Sequence, residues 1–146
     1  MLLPAFKAKK YARKEVVEKG NLLMKNLHID RVADHTMNQV SGGQIQRTAI
    51  CRALINEPSI LYADEPTGAL NASTTGEVMD ILNAINQSGT TIVLVTHDAR
   101  VAARGDRIIY LRDGEIVSQL TLGKYRSQEE TKREEKTNQW LRKQGF

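Results

Sequence analysis

Cysteine, aromatic residues and long apolar runs are all scarce in this sequence, and each scarcity excludes a class of protein. The single cysteine, Cys51, rules out a disulfide framework within the chain, and its apolar neighbours favour a buried thiol over a reactive one. Aromatic residues make up 5% of the chain, so aliphatic side chains must build most of the core. No apolar run approaches the roughly 20 residues of a membrane-spanning helix, and the first residues do not resemble a secretory signal. We therefore expect a cytoplasmic protein that meets a membrane only through partners.

The chain carries a net charge of +4, and much of the excess lies near its start, at Lys7, Lys9, Lys10, Arg13 and Lys14. A basic segment can bind nucleic acid or an anionic membrane surface. Here no aromatic residues are interleaved with the basic ones, acidic residues follow closely, and no nucleic-acid motif occurs. We therefore expect a solvated helix face and no nucleic-acid partner.

Apolar spacing predicts helices that alternate with short buried strands. The predicted helices cover about residues 7–28, 41–56, 72–87 and 99–103, and the predicted strands cover residues 60–63 and 91–95. Asp113-Gly114 predicts a hairpin turn between strands 107–111 and 115–117. A charged helical tail follows from about residue 127, and Trp140, Leu141 and Phe146 either dock it on the body or fray with it. The alternation indicates an α/β fold with a parallel sheet.

The first chemical motif is Ser41-Gly42-Gly43-Gln44, at the start of the second predicted helix. Glycines let backbone amides approach an anion closely, and free amides at a helix N-terminus favour phosphate. A plain helix cap made by Ser41 explains the same residues, and the motif alone does not decide between the two interpretations.

The second motif is an acidic pair, Asp64-Glu65, directly after the apolar strand 60–63. Such a pair is suited to holding Mg²⁺ through water and to polarising an attacking water molecule. Acidic residues are also common in turns after strands. Gly68-Ala69-Leu70-Asn71 follows, with Asn71 as a candidate helix cap, and His97 comes directly after the second buried strand.

In this order and at this spacing, the motifs resemble those of the ABC transporter ATPase family. Residues 41–44 look like its signature motif, and residues 60–65 like its Walker B segment with the catalytic glutamate. Residues 68–71 look like the D-loop, and His97 like the switch histidine. The string from Ala63 to Asn71 is similar to the branch with lipoprotein-release, macrolide-export and bacitracin-type peptide transporters. The resemblance covers roughly residues 2–117.

Two departures from the family pattern stand out. Asn71 occupies a position where many members of the family carry aspartate. Asparagine keeps a hydrogen-bonding oxygen there but loses the negative charge. No Gly-x-x-x-x-Gly-Lys-Ser/Thr loop, the Walker A motif, occurs anywhere in the sequence. The resemblance therefore implies the C-terminal part of a P-loop NTPase (RecA-like) sheet. It implies a helical signature subdomain at residues 1–57, the ATPase core at 58–123 and a tail at 124–146, in an incomplete, N-terminally truncated chain.

The family resemblance also implies cofactors, partners and roles. ATP and Mg²⁺ would be the cofactors, with Asp64 near the metal and Glu65 and His97 as catalytic residues. Ser41, Gly42, Gly43 and Gln44, with Asn71, would complete the ATP site of a second ATPase subunit. A transmembrane permease would hold the pair on the inner face of the membrane and would use ATP hydrolysis for export or for detoxification of antimicrobial peptides.

Two other functions remain open at this stage. The chain could be a non-catalytic fragment that docks on an intact ABC subunit and supplies only its signature motif. It could also belong to ABC ATPases that act in DNA repair or on ribosomes. The coiled-coil insertion of the repair proteins and the tandem domains of the ribosomal ones are both missing from this sequence, which counts against the latter function.

The absence of Walker A leads to a direct prediction. The Walker A backbone and its lysine provide most of the grip on the β- and γ-phosphates of a nucleotide. The chain by itself should therefore bind Mg-ATP very weakly and should not turn it over. Isothermal titration with Mg-ATP measures this affinity, and a micromolar dissociation constant would contradict the prediction.

Overall fold

The computed structural model describes residues 3–8 and 12–145, and the chain divides into two compact units, Met1–Leu94 and Val95–Phe146. The first unit contains helices α1 to α4, strand β1 and most of strand β2. These elements are α1 (Leu3–Ala8), α2 (Arg13–Asn26), α3 (Gly42–Leu54), β1 (Ile60–Asp64), α4 (Ala72–Gln87) and β2 (Thr91–Val95). The second unit contains α5 (Ala99–Ala102), β3 (Arg107–Arg112), β4 (Glu115–Thr121) and α6 (Glu130–Lys143). Short 3-10 turns cover Asp30–Val32, Met37–Gln39 and Ser127–Glu129. The three-part division predicted from the motifs stays a prediction.

Strands β1 and β2 are neighbours in a parallel sheet, and α4 connects them as a crossover helix. The amide of Thr91 donates to the carbonyl of Ser59 at 3.0 Å, where the two strands begin. Antiparallel β3 and β4 form a separate two-stranded sheet. The predicted α/β fold with a parallel sheet is confirmed, and the carboxyl ends of β1 and β2 lie at the sheet edge where α/β proteins bind ligands.

The prediction of one helix over residues 7–28 is wrong. Ala12 has extended backbone angles, φ −63° and ψ 151°, and α2 begins after it at Arg13. The Glu15 carboxylate accepts a hydrogen bond from the amide of Ala12 at 2.8 Å, which stabilises this start. Gly20, expected to be a weak point, is buried inside α2, and the helix continues through it.

Aliphatic side chains form the core of the first unit, as the scarcity of aromatic residues implies. Ala5 of α1, Val16 of α2 and Ile55 after α3 pack together. An ion pair joins Lys19 of α2 to Glu57 at 2.6 Å. Cys51 is fully buried on α3, and burial raises the pKa of its thiol to about 11, so it is protonated at neutral pH.

The hairpin of the second unit forms at the turn that its sequence predicts. Asp113 and Gly114 both have positive φ, 52° and 82°, which the primed hairpin turns require. Arg112 pairs with Glu115 directly beside the turn. Strand β4 extends to Thr121 rather than ending at residue 117, because it pairs with β3 back to Arg107.

The C-terminal helix α6 docks on the second unit through a buried arginine. Arg133 is 4% exposed. Its guanidinium donates hydrogen bonds at 2.8 to 3.4 Å to the carbonyl oxygens of Ala103, Gly105, Leu122, Gly123 and Lys124. It also lies 5.5 Å from the ring centre of Tyr125. The carbonyl groups of two loops thus surround one cation, which offsets the cost of burying its charge.

Aromatic contacts extend this docking toward the end of α6. Trp140 donates from its indole nitrogen to Ser118 Oγ at 3.2 Å. The centres of the Trp140 and Tyr110 rings lie 6.2 Å apart in an edge-to-face contact. Leu141, the next residue along the chain, is buried. The docked alternative for the tail therefore holds for Trp140 and Leu141, and Phe146 lies outside the described residues. Within the described part of the chain, no helix is both long and apolar enough to cross a membrane.

Replacing Arg133 should destabilise the second unit strongly. Arg133→Met leaves several carbonyl groups without their donor and should lower the free energy of unfolding by about 2–4 kcal/mol. The matched control is Lys132→Met, at an exposed position on the same helix, which should change it by less than about 0.5 kcal/mol. Urea unfolding followed by the fluorescence of Trp140, the one tryptophan, measures both. Equal effects of the two substitutions would contradict the docking role of Arg133.

Candidate functional site

Ser41 begins helix α3 with a reciprocal cap. The amide of Gln44 donates to Ser41 Oγ at 3.3 Å, and the amide of Ser41 donates to Gln44 Oε1 at 2.8 Å. The first intrahelical bond runs from the amide of Ile45 to the carbonyl of Ser41 at 2.9 Å. The amides of Gly42 and Gly43 precede that bond, and such first-turn amides are available to an anion. Ser41 is therefore a helix cap, and its cap leaves the hydroxyl proton free to be donated elsewhere.

Asn71 begins helix α4 in a similar way. Its side-chain oxygen accepts a hydrogen bond from the amide of Thr74 at 2.9 Å. A turn precedes it, closed by the amide of Leu70 donating to the carbonyl of Thr67 at 3.0 Å. The predicted cap is thus observed, and it uses only the side-chain oxygen of Asn71.

The starts of α3 and α4 touch each other. A Cβ on Gly43 would overlap the γ-methyl of Thr74, and a Cβ on Gly42 would lie 3.4 Å from the Leu70 side chain. Helix packing therefore favours glycine at position 43, whether or not an anion approaches it. The segments 41–44 and 70–74, which the sequence presents as separate motifs, are neighbours in the first unit.

An ion pair fixes the same two helices one turn further on. Arg47 Nη2 lies 2.9 Å from Glu77 Oε2, and Arg47 Nε also donates to the carbonyl of Gly43 at 3.4 Å. Sequence reasoning gave neither residue a role. The contact of Arg47 with Gly43 could have been predicted, because the two residues are one helical turn apart. The contact with Glu77 could not, because Glu77 lies 30 residues further along the chain.

The acidic pair lies at the carboxyl end of β1, as predicted. Asp64 is the last residue of the strand and is exposed. Glu65 has a left-handed backbone, φ 43°, which costs energy for a residue other than glycine. The amide of Gly68 donates to the carbonyl of Glu65 at 3.2 Å and closes the turn. The strained turn directs the chain away from the strand immediately after Asp64.

His97 lies in the second unit, just after β2, and is exposed. The next residue, Asp98, caps α5 by accepting from the amide of Arg100 at 2.8 Å. The Arg100 guanidinium beside Asp98 holds the pKa of that carboxyl below its usual value. The expected placement of His97 and Glu65 around one phosphate stays a prediction.

The residues of the first unit fit a triphosphate and a metal only in part. The start of α3 offers amides and a hydroxyl to phosphate oxygens. Mg²⁺ is usually bound through one or two carboxylates together with substrate phosphates, and Asp64 with Glu65 supplies that number. Across residues 3–8 and 12–145, no group of three or more His, Cys, Asp or Glu side chains could hold a metal ion. The carboxylates therefore need the phosphates of a nucleotide to complete a metal site.

The α/β fold with a parallel sheet places an acidic pair at a strand end beside capped helix starts, an arrangement suited to binding a nucleotide. Comparison with known proteins makes the class specific, since residues 4–68 match the model of the ABC transporter family. The chain is similar to ATP-binding proteins of the ABC transporter family, among them macrolide-export and lipoprotein-releasing proteins.

Individual proteins of known sequence or structure show the same likeness. An uncharacterized ABC transporter ATP-binding protein, MJ0796 of Methanocaldococcus jannaschii, is 56% identical over 60% of this chain and 37% of its own length. The lipoprotein-releasing system ATP-binding protein LolD of Aquifex aeolicus is 41% identical over 83% of this chain and 54% of its own length. A dimeric structure of the MJ0796 cassette, bound to ADP and Pi, matches with a TM-score of 0.67 at 43% identity.

That structural match covers 79% of this chain and 50% of the MJ0796 chain. The chain thus spans about half the length of relatives such as LolD. The other half of the MJ0796 chain lies outside the match.

The contact between Gly43 and Thr74 predicts an asymmetry between two adjacent glycines. Gly43→Ala should destabilise the first unit by about 1–3 kcal/mol through overpacking, whereas Gly42→Ala, which meets Leu70 at an ordinary distance, should be nearly neutral. Thr74→Ser removes the overlapping methyl and should rescue Gly43→Ala in the double variant. Chemical denaturation of the parent, the three single variants and the double variant measures the free energy of unfolding of each. Equal destabilisation by Gly43→Ala and Gly42→Ala would contradict the contact.

Proposed function

We propose that this chain is the signature-bearing half of the ATPase of an ABC transporter, which couples ATP hydrolysis at a dimer interface to export or to peptide detoxification by a separate permease. The observation that carries the proposal is the adjacency of the capped starts of α3 and α4 in the same unit as the Asp64-Glu65 turn. One unit thus combines anion-binding amides with carboxylates suited to a metal.

In this proposal, the start of α3 binds the nucleotide held by a second ATPase subunit. The Ser41 hydroxyl and the amides of Gly42 and Gly43 donate to its phosphate oxygens, and the positive end of the helix dipole favours them. Gln44 holds Ser41 in place through the reciprocal cap. Asn71 lies at the neighbouring helix start and faces the same subunit interface. The dimeric cassette of the relative MJ0796 supports such a partner.

The carboxyl end of β1 acts on the nucleotide of the chain's own subunit. Bound ATP would supply the γ-phosphoryl group, and Mg²⁺ would offset its charge. Asp64 would hold the metal through water, because Mg²⁺ usually keeps several of its water ligands. Glu65 would orient and polarise the attacking water, and His97 would donate to the γ-phosphate. The left-handed backbone at Glu65 turns the chain directly after Asp64.

The location and remaining partners follow from the same proposal. A permease would hold the two ATPase subunits at the cytoplasmic face of the membrane, and the name of the macrolide-export relative, an ATP-binding/permease protein, supports a permease partner. In the second candidate function, the chain only lends its signature motif to an intact ABC subunit. The capped start of α3 supports this alternative, because its hydroxyl and amides do not require a nucleotide bound by the chain itself.

A chimeric cassette tests the proposed catalytic role. The half of the MJ0796 cassette that this chain does not match is fused ahead of residues 1–146, and steady-state release of phosphate is measured. The chimera should hydrolyse ATP, and Glu65→Gln should reduce its turnover by about two to three orders of magnitude, because electrostatic positioning of the reacting groups is lost.

The matched control is Glu115→Gln, at an exposed position at the start of β4, which should leave turnover unchanged. Ser41→Ala should weaken turnover as well, since it removes the hydroxyl proposed to contact the partner's nucleotide. A folded chimera without activity would refute the catalytic role. Activity that survives Glu65→Gln would refute the assignment of Glu65.

A further inference from the structure

His97 lies in a short segment that local hydrogen bonds join to helix α5. The Thr96 hydroxyl oxygen accepts from the amide of Asp98 at 3.1 Å, so the residues on both sides of His97 are connected. The carbonyl of Asp98 accepts from the amide of Ala102 at 2.9 Å, and its carboxylate caps the start of the helix. The backbone of His97 is therefore coupled to the position of α5.

Helix α5 has only four residues, Ala99–Ala102. A single helical turn is not stable by itself, because its formation fixes many backbone angles for few hydrogen bonds. The orientation of α5 must therefore come from packing, and Val101 and Ala103 are both buried. Helix α6 of the same unit packs against it.

Two charged side chains of α6 hold the C-terminal end of α5. Arg104 lies two residues after the helix, and its Nε and Nη2 both donate to Glu130 Oε1, at 2.9 and 2.5 Å. The Arg104 side chain is 14% exposed, so this charge-assisted pair is partly shielded from water, which strengthens it. One turn further along α6, Arg133 donates to the carbonyl of Ala103 at 2.9 Å.

Opposite charges continue toward the start of α5. Arg100 precedes Arg104 by four residues, about one helical turn, and Glu130 and Glu134 have the same spacing on α6. Arg100 pairs with Asp98 at 3.0 Å. This hydrogen bond raises the pKa of the Arg100 guanidinium, and Glu134 acts in the same direction. Charges of α6 thus act on both ends of α5.

We propose that α6 positions His97, with Glu130 as the positioning residue that acts through Arg104 and α5. Because α5 is one turn, about 6 Å long, a displacement of its C-terminal end also displaces the cap at its start. The role of His97 at a γ-phosphate comes from the proposed function, on which this inference rests. The coupling between α6 and the His97 segment is measurable without a nucleotide.

Amide hydrogen exchange of residues 1–146, followed by NMR, measures the coupling. Glu130→Gln keeps the shape of the side chain and removes its charge. Exchange at the amides of Ala102 and Ala103, which bond within α5, should become about tenfold faster, because the ion pair no longer opposes local opening. The amides of strands β3 and β4 should exchange as in the parent.

The imidazole signals of the three histidines add a readout that general destabilisation of the chain does not imitate. In Glu130→Gln the signals of His97 should shift, whereas those of His28 and His35, which lie in the first unit, should not. The double variant Glu130→Arg with Arg104→Glu restores opposite charges and should return the His97 signals toward their positions in the parent.

The matched control is Glu135→Gln, at an exposed position on the same helix, which should change neither the exchange nor the imidazole signals. Unchanged exchange in α5 together with unchanged His97 signals in Glu130→Gln would overturn the proposal. Equal acceleration of exchange in α5, β3 and β4 would also overturn it, because Glu130 would then only stabilise the unit.

The chimeric cassette separates this inference from the proposed function. There Glu130→Gln should lower turnover about three- to tenfold and leave the KM for ATP unchanged, because a misplaced His97 affects the reaction more than nucleotide binding. An active chimera that tolerates Glu130→Gln would refute the positioning role and leave the proposed function standing. A folded but inactive chimera, with the His97 signals of residues 1–146 still shifted by Glu130→Gln, would refute the catalytic role and leave the coupling standing.

Discussion

The packing of helix α3 against helix α4 at Gly43 is the constraint on which the candidate site depends. Because a side chain at Gly43 would overlap the γ-methyl of Thr74, glycine at this position lets the two helix starts approach each other without displacing that side chain. The Arg47–Glu77 ion pair holds the helices one turn later. The start of α3 and the start of α4 therefore form a single element, and motifs that look independent in the sequence occupy one surface.

The sequence was sufficient wherever a local rule decides the structure. Asn71 and Ser41 were readable as helix caps, and the Asp113-Gly114 turn as a hairpin, because each is determined by residues within a few positions. The end of β1 at Asp64 follows likewise from an apolar run that stops at charge. The break before Arg13 was missed because no proline or glycine marks it, and the Glu15 carboxylate that caps α2 is a weak signal without serine or threonine at the cap.

The sequence was insufficient wherever distant residues meet. Nothing near Arg133 indicates that carbonyl groups from two loops will surround it, and nothing near Glu77 indicates its pairing with Arg47. Family resemblance supplied the roles of Glu65 and His97, which local patterns left open between chemical and structural interpretations. Tyr62 on β1 is exposed, which could not be predicted either, because an apolar strand in an α/β pattern is expected to be covered on both faces.

The packing at the α3–α4 junction, between the Ser41 cap and the Asn71 cap, is the contact that places the two motifs together. The most direct test of the junction is a nuclear Overhauser measurement between the γ-methyl protons of Thr74 and the α-protons of Gly43. Close packing of these groups predicts a strong cross-peak in the chain alone. A well-resolved spectrum without that cross-peak would contradict the contact and, with it, the joint placement of the two motifs.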